Sequence, residues 1–222
     1  MIRCAITDGV RFGNSAVARQ VGLLADAVRW AELGVDFVQL REKTLAAGEL
    51  VELARAIIDV FHEQGGTTKL LVNGRPDVAI AAGADGVHLT SSPSGLTAAQ
   101  VRTLFAESGR GEAVVGMSCH TLEDVDRARE AGADLILFGP VFEKRVGGEL
   151  VAEGVGLEAL RKVCEASGAT PVLALGGVDE ENLTDCLDAG SAGIAGIRLF
   201  ARAMPPVTVT AKFHRKSPSV AP

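Results

Sequence analysis

A short unit occurs four times along the chain, and it constrains the fold more than any other feature. Each copy contains the end of a helical pattern, a glycine, an acidic or small residue, and then an apolar run of strand length. The copies occupy residues 31–40, 81–89, 130–138 and 188–196. We expect each glycine to adopt the left-handed conformation that ends a helix, and each apolar run to enter a sheet. Repetition of this unit predicts an α/β architecture built from like units.

Four further apolar runs bring the number of candidate strands to eight. The strands are predicted near residues 3–7, 36–40, 69–73, 86–89, 113–118, 135–138, 171–175 and 193–197. Helical patterns fill the gaps near residues 21–33, 47–63, 76–82, 97–107, 122–131, 157–167 and 180–189. Eight alternations favour a single (β/α)8 TIM barrel. The alternative is an open, doubly wound sheet, but its first turn would carry a GxGxxG motif, which residues 7–9 lack.

The end of the chain and one internal turn depart from this regularity. We predict that the barrel spans residues 1–204 and closes with a short or irregular last helix. Pro205 and Pro206 would stop a helix, so residues 205–222 are expected to form an irregular C-terminal tail. Residues 143–156 are glycine-rich and have no clear periodic pattern, which makes this long turn a candidate active-site lid.

Composition and charge exclude several classes of protein. A net charge of −6 disfavours a nucleic-acid surface, and no apolar run approaches the ~20 residues of a membrane span. The four cysteines form no C-x-x-C pair, which argues against a structural zinc site and a disulfide scaffold. No signal-peptide pattern precedes the first strand. We therefore expect a cytoplasmic protein whose partner is a small molecule.

Residues 114–121 are the leading candidate for the reactive centre. This apolar run ends in Ser118 and His120, and Thr121 precedes Asp124 with the spacing of a capping box. His120 should therefore lie on a strand-to-helix turn, where barrel enzymes place reactive groups. It is the best acid/base candidate because the pKa of imidazole lies near neutral pH. Strand alternation should point Cys119 away from both neighbours. The alternative is that His120 is an ordinary polar turn residue.

The end of the second strand indicates an anionic ligand. Alternation places Gln39, Arg41 and Lys43 on one side of this strand, toward the barrel mouth. Two cations and an amide on one face suit a phosphorylated ligand. A solvated charged loop is the alternative.

Later strand ends add further candidates. A Gly176-Gly177 turn just before a helix could present backbone N–H groups to a phosphate, although it could also be a plain turn. Arg198 follows the eighth strand, and is either a phosphate ligand or a surface residue. Asn73 and His88 end the third and fourth strands.

No close pair of histidine or carboxylate ligands occurs at any strand end, so no metal site is predicted. Asp8 and Glu143 are the nearest acids. His62 and His214 are expected to be structural or solvated.

Several of these segments together resemble the thiamine phosphate synthase and thiazole tautomerase superfamily. They are residues 39–43 (QLREK), 71–75 (LVNGR), 83–89 (GADGVHL), 116–122 (GMSCHTL), 132–142 (GADLILFGPVF) and 174–177 (ALGG). The segments occur in the family order, and the likeness extends to about Arg198. The resemblance implies a (β/α)8 barrel that acts on the thiazole half of thiamine.

The chain departs from the synthase pattern where that pattern binds magnesium. The resemblance implies one aspartate after Asn73 and another shortly after His88, but these positions hold Gly74 and Pro93. The loop after the sixth strand is also out of pattern, and Arg198 stands where a serine is expected. His88 itself is synthase-like.

Other positions match the tautomerase pattern, namely Asn73-Gly-Arg75, Phe142-Glu143 and the length of the following loop. In that family the histidine matching His120 moves a proton to aromatise a thiazole carboxylate phosphate. We therefore expect an isomerase, a thiazole tautomerase of thiamine biosynthesis, that needs no metal or other cofactor. Its expected substrate-binding residues are Gln39, Arg41, Lys43, Asn73, His88, Ser118, Gly176, Gly177 and Arg198.

Two alternatives stay open. One is a thiamine phosphate synthase, a transferase that joins hydroxymethylpyrimidine pyrophosphate to thiazole phosphate and releases pyrophosphate; only this alternative calls for Mg²⁺. The other is a non-catalytic barrel that binds a phosphorylated metabolite or has a regulatory role. The resemblance leaves the oligomeric state open, with a homodimer as one alternative.

Overall fold

Eight parallel strands close into a barrel, which confirms the predicted (β/α)8 architecture. The structure is a computed structural model that describes residues 1–90, 92, 94–146 and 149–201. The barrel strands are β1 (Ile2–Ile6), β2 (Phe37–Leu40), β3 (Lys69–Asn73), β4 (Gly86–Leu89), β5 (Val114–Cys119), β6 (Leu135–Phe138), β9 (Val172–Leu175) and β10 (Gly193–Gly196). Strand β1 pairs in parallel with both β2 and β10, and this closes the barrel. All eight strands lie where the apolar runs predicted them.

Seven α-helices and one 3-10 helix occur in the described part of the chain. They are a 3-10 turn (Gly9–Phe12), α1 (Ala16–Glu32), α2 (Ala47–Glu63), α3 (Pro76–Ala82), α4 (Ala98–Glu107), α5 (Leu122–Glu130), α6 (Gly156–Ala166) and α7 (Leu183–Asp188). Helix α1 begins five residues earlier than predicted because Ser15 caps it by accepting from the Ala18 N–H. Helix α7 begins later than predicted because the Asp179 side chain accepts from the Asn182 N–H and holds this segment in a turn.

The repeated unit has a structural explanation in each of its parts. Its four glycines all have positive φ, as predicted: Gly34, Gly83, Gly132 and Gly190. The acid that follows accepts a hydrogen bond from a backbone N–H of the preceding strand. In the first three copies these bonds join Asp36 to Arg3 (2.8 Å), Asp85 to Leu70 (2.8 Å) and Asp134 to Val115 (2.7 Å). In the fourth copy Ser191 accepts from Ala174 in the same way, at 3.2 Å. The repeat therefore fixes each helix end to the neighbouring strand.

The core has two parts, one between helices and strands and one inside the barrel. Helix α2 shows the first part, because its buried Leu50, Leu53, Ile57 and Phe61 recur at helical spacing and face the sheet. The interior is filled by buried side chains from alternate strand positions: Cys4, Ile6, Leu71, Leu135, Leu137, Leu173 and Ala195. These residues form an apolar floor beneath the polar side chains at the carboxyl ends of the strands.

The turn after β6 is more regular than its sequence indicated. It contains two short antiparallel strands, β7 (Lys144–Val146) and β8 (Glu149–Ala152), so the prediction of an unpatterned turn is wrong there. The lid function stays a prediction.

The last described residues form a turn, in which Phe200 is buried and its carbonyl accepts from the Trp30 indole N–H at 3.0 Å. The predicted domain boundary after residue 204 and the tail at 205–222 lie outside the described residues. Among the described helices, none is both long and apolar enough to cross a membrane.

Candidate active site

Four of the predicted site residues form two hydrogen-bonded pairs above the apolar floor of the barrel. Asn73 lies opposite His88 in the β3–β4 register, and His88 lies opposite Gly116 in the β4–β5 register. Gln39 donates through Nε2 to Asn73 Oδ1 at 2.9 Å, and His88 Nε2 lies 2.8 Å from Ser118 Oγ. The structure therefore brings these four side chains into two contacting pairs on neighbouring strands, and their role in binding stays a prediction.

The Gln39–Asn73 pair fixes an amide at the mouth of the barrel. Gln39 is buried, whereas Asn73 is half-buried. Because the Asn73 carbonyl oxygen accepts from Gln39, its Nδ2 group is the part of the amide that remains to donate to a ligand.

His88 is enclosed by the barrel and held neutral. Its side chain is 1% exposed, and burial, followed by the charge of Arg41, lowers its pKa from 6.5 to about 4. Gly116 makes room for the ring, because a Cβ at this position would lie 2.6 Å from His88 Nδ1. Within the described residues Nδ1 has no hydrogen-bond partner, so Ser118 is the group to which this imidazole is tied.

The β2–α2 segment is positioned by a residue that the sequence analysis missed as a site component. Thr7, buried just after β1, accepts through Oγ1 from the Arg41 backbone N–H at 2.8 Å. Glu42 is held by the turn that follows β1, because its two carboxylate oxygens accept from the Gly9 N–H at 3.0 Å and 3.2 Å. These bonds order the backbone from which Arg41 and Lys43 project.

A cavity of about 190 Å³ lies between the ends of β2 and β3. Its polar lining is Arg41, Glu42, Lys43, Asn73 and Arg75. Arg75 ends the motif at residues 71–75 but was not predicted as a site residue. The signal that could have found it is a cation two residues after Asn73, just past the end of the strand that neighbours β2.

His120 lies where predicted, on the turn between β5 and α5. Its ring is exposed, and Nδ1 lies within hydrogen-bond distance of the Gly139 carbonyl. Since a carbonyl only accepts, Nδ1 carries the proton in this arrangement and Nε2 is left for a ligand. The predicted capping box is confirmed, because Thr121 Oγ1 accepts from the Asp124 N–H at 3.1 Å.

Cys119 is unsuited to act as a nucleophile, as the strand alternation predicted. Its side chain is buried among the apolar residues outside the barrel, and burial raises its pKa to about 12. The thiol is therefore protonated and shielded from a ligand in the mouth.

The Gly176-Gly177 turn is present, but it does not lead directly into a helix. Both glycines have positive φ, and a Cβ at Gly176 would lie 2.6 Å from Pro140. Gly177 offers its carbonyl to the Asn182 side-chain N–H at 2.9 Å, and α7 begins only at Leu183. The part of the prediction that placed a helix start at this turn is therefore wrong.

Arg198 is exposed and lies two residues past β10. His62 lies within α2, away from the strand ends, and His214 falls outside the described residues.

The comparisons with known proteins identify the family. A family model described as thiamine monophosphate synthase matches residues 5–200. The chain belongs to the thiamine monophosphate synthase family. The resemblance seen in the sequence is thereby confirmed.

Relatives extend over most of the chain. A putative thiamine-phosphate synthase of Geobacter sulfurreducens is 44% identical over 162 residues, 73% of this chain and 71% of the relative. The putative thiamine-phosphate synthase 2 of Aquifex aeolicus is 36% identical over 88% of this chain and 95% of its own length. Among solved structures, a thiamine phosphate pyrophosphorylase from Pyrococcus furiosus superimposes with a TM-score of 0.70 at 28% identity, covering 91% of this chain and 88% of that one.

These relatives overturn the expected isomerase activity. Two are named as putative thiamine-phosphate synthases and the solved structure as a thiamine phosphate pyrophosphorylase, so the prediction of a thiazole tautomerase is wrong. The prediction rested on the departures at Gly74 and Pro93, which remove carboxylate donors, and on the positions that match the tautomerase pattern. Such departures bear on how an anion is neutralised, but they do not specify which bond is made or broken.

The magnesium site implied by the family does not fit this chain. Gly74 offers no side-chain donor, and the space beyond its Cα is open, with nothing within 4 Å of an ideal Cβ. The second position holds Pro93, which lacks a ligating side chain. Among the described residues, no group of three or more His, Cys, Asp and Glu side chains could hold a metal ion. The donors that Mg²⁺ prefers are therefore missing from the expected place.

Proposed function

We propose that this family member is a thiamine-phosphate synthase, a transferase that joins hydroxymethylpyrimidine pyrophosphate to thiazole phosphate. In this reaction the carbon–oxygen bond to the pyrophosphate breaks and a new bond forms to the thiazole. Pyrophosphate leaves with the electron pair of the broken bond. The observation that carries the proposal is the 36% identity to a putative thiamine-phosphate synthase across 95% of that protein's length.

The cation-rich end of β2 suits the pyrophosphate group. Arg41 and Lys43 line the cavity beside Asn73, whose Nδ2 group can donate to a phosphate oxygen. Negative charge grows on the pyrophosphate as the bond breaks, so fixed cations and N–H donors stabilise the transition state more than the ground state.

The barrel interior suits the aromatic rings. The amide of Gln39 and the hydroxyl of Ser118 provide a small number of fixed polar contacts above an apolar floor, an arrangement typical of small-molecule sites. His88 acts through Ser118, because it is enclosed by the barrel. His120 offers Nε2 from the adjacent turn.

The opposite side of the mouth is the proposed place of the thiazole phosphate. There the Gly176-Gly177 turn offers backbone N–H groups, and Arg198 supplies a cation. This division gives each of the two substrates its own anion contact.

The direct test is formation of thiamine phosphate from the two substrates by the full chain. Product and released pyrophosphate should appear in equal amounts. Arg41→Gln should raise the KM for the pyrimidine substrate, whereas Arg161→Gln should leave it unchanged, because Arg161 pairs with Glu158 on the outer helix α6. Binding of both substrates without turnover would contradict the proposal and would favour the non-catalytic barrel.

A further inference from the structure

The cavity at the ends of β2 and β3 is lined by Leu40, Leu45 and Leu50 as well as by its polar side chains, and it has the size of a small anion site. Three cations line it, Arg41, Lys43 and Arg75, against the single carboxylate of Glu42. Its volume of about 190 Å³ is below the roughly 300–1,000 Å³ of pockets for drug-sized ligands. A multiply charged group such as a diphosphate matches both properties.

The carboxylate in this cavity is already engaged. Both Glu42 oxygens accept from the Gly9 N–H, which ties the side chain to the β1–α1 turn. Glu42 is therefore held in place by the protein's own backbone, and its one negative charge is outnumbered by the three cations of the cavity.

The Arg75 guanidinium is oriented by a bidentate ion pair. Its Nε and Nη2 groups donate to the two carboxylate oxygens of Asp77, at 2.9 Å and 2.6 Å. Phosphate oxygens accept from an arginine fork in the same way. The Asp77 side chain is 63% exposed, and exposed ion pairs contribute little, so a phosphate can displace it.

Arg75 is placed to supply the positive charge that magnesium, held by the missing carboxylates, would supply in the family pattern. It follows Gly74, at which the family pattern has an aspartate that holds magnesium. We propose that the guanidinium of Arg75, with Arg41 and Lys43, neutralises the substrate's diphosphate directly, so that this chain binds that group without a divalent cation. The inference deepens the proposed function, on which it depends for the identity of the ligand.

Binding of inorganic pyrophosphate to the full chain tests the inference separately from turnover. The dissociation constant is measured by calorimetry in EDTA and again in MgCl2. We expect binding in EDTA that becomes no tighter on adding MgCl2, because Mg²⁺ complexes free pyrophosphate in solution and competes with the protein's cations for it. Binding only in the presence of Mg²⁺ would overturn the inference, even if the chain formed thiamine phosphate.

Two variants identify the cation responsible. Arg75→Gln should weaken pyrophosphate binding in EDTA roughly tenfold, the size expected for a lost charge-assisted contact, and Asp77→Asn should not weaken it. Arg161→Gln, which removes an exposed arginine far from the strand ends, should bind like the parent chain. Circular dichroism checks that each variant is folded. Unchanged binding by Arg75→Gln would also overturn the inference, whereas metal-free binding without turnover would support it and contradict the proposed function.

Discussion

His88 Nε2 lies 2.8 Å from Ser118 Oγ, and this contact joins adjacent strands inside the barrel. Because Nδ1 is buried without a partner in the described structure, a proton there would be an unsatisfied donor. The proton therefore belongs on Nε2, which donates to Ser118. One lone pair of the serine is occupied in this way, and its own proton is left to donate to an acceptor atom of the ligand.

Substituting His88 or Ser118 should lower activity, because either change removes the one contact between them. His88→Gln and Ser118→Ala should each lower kcat/KM roughly tenfold, and the double variant should lose much less than the product of the two losses. The measurement is a double-mutant cycle on thiamine phosphate formation. Multiplicative losses would show that His88 acts independently of Ser118.

The depressed pKa of His88 predicts a pH dependence of stability. Its pKa is about 4 in the folded chain and 6.5 in the reference state, so between these values the unfolded chain binds the additional proton. Stability should therefore be fully present above pH 6.5 and fall as the pH is lowered toward 4, by up to about 3 kcal/mol from this group.

Urea unfolding across this pH range measures the effect. Because carboxylates also titrate there, the informative quantity is the difference between the parent chain and His88→Gln. The variant should show the shallower loss. Parallel curves would indicate that His88 titrates normally in the folded protein.

Gly116 should be intolerant of a side chain because of its neighbour. A methyl group there would lie 2.6 Å from His88 Nδ1 in the filled interior. Gly116→Ala should displace the imidazole from Ser118 and destabilise the protein by about 1–3 kcal/mol. Thermal or urea unfolding measures the stability change. Gly48→Ala in helix α2 is the control and should not destabilise, since nothing lies within 4 Å of its ideal Cβ and alanine favours a helix. A Gly116→Ala variant as stable as the parent chain would contradict the packing argument.

The barrel strands could be predicted from the sequence because buried parallel strands are continuous apolar runs, and each repeat glycine marks a helix end. The hairpin β7–β8 could not, because its short strands lack such a run. Contacts between strands could not be predicted either. No sequence pattern indicates the hydrogen bond from the Arg41 N–H to Thr7 or the space that Gly116 leaves for His88.

The candidate site divides in the same way. Its members could be named because strand alternation places polar residues at one barrel end. The reaction could not be predicted, because Gly74 and Pro93 indicate only that metal ligands are missing. A group of anion-binding residues is compatible with a proton shift and with a group transfer alike.

The acid of the repeated unit should contribute to stability because it satisfies a buried backbone donor. Asp85 accepts from the N–H of Leu70, a fully buried residue of β3. Asp85→Ala would leave that N–H unpaired, and we expect the free energy of unfolding to fall by about 1–3 kcal/mol. The control is Asp59→Ala on the exposed face of α2, where a change within about 0.5 kcal/mol is expected. Urea unfolding of both variants measures the difference, and a loss at Asp85 no larger than at Asp59 would mean that the repeated acid does not hold the strand.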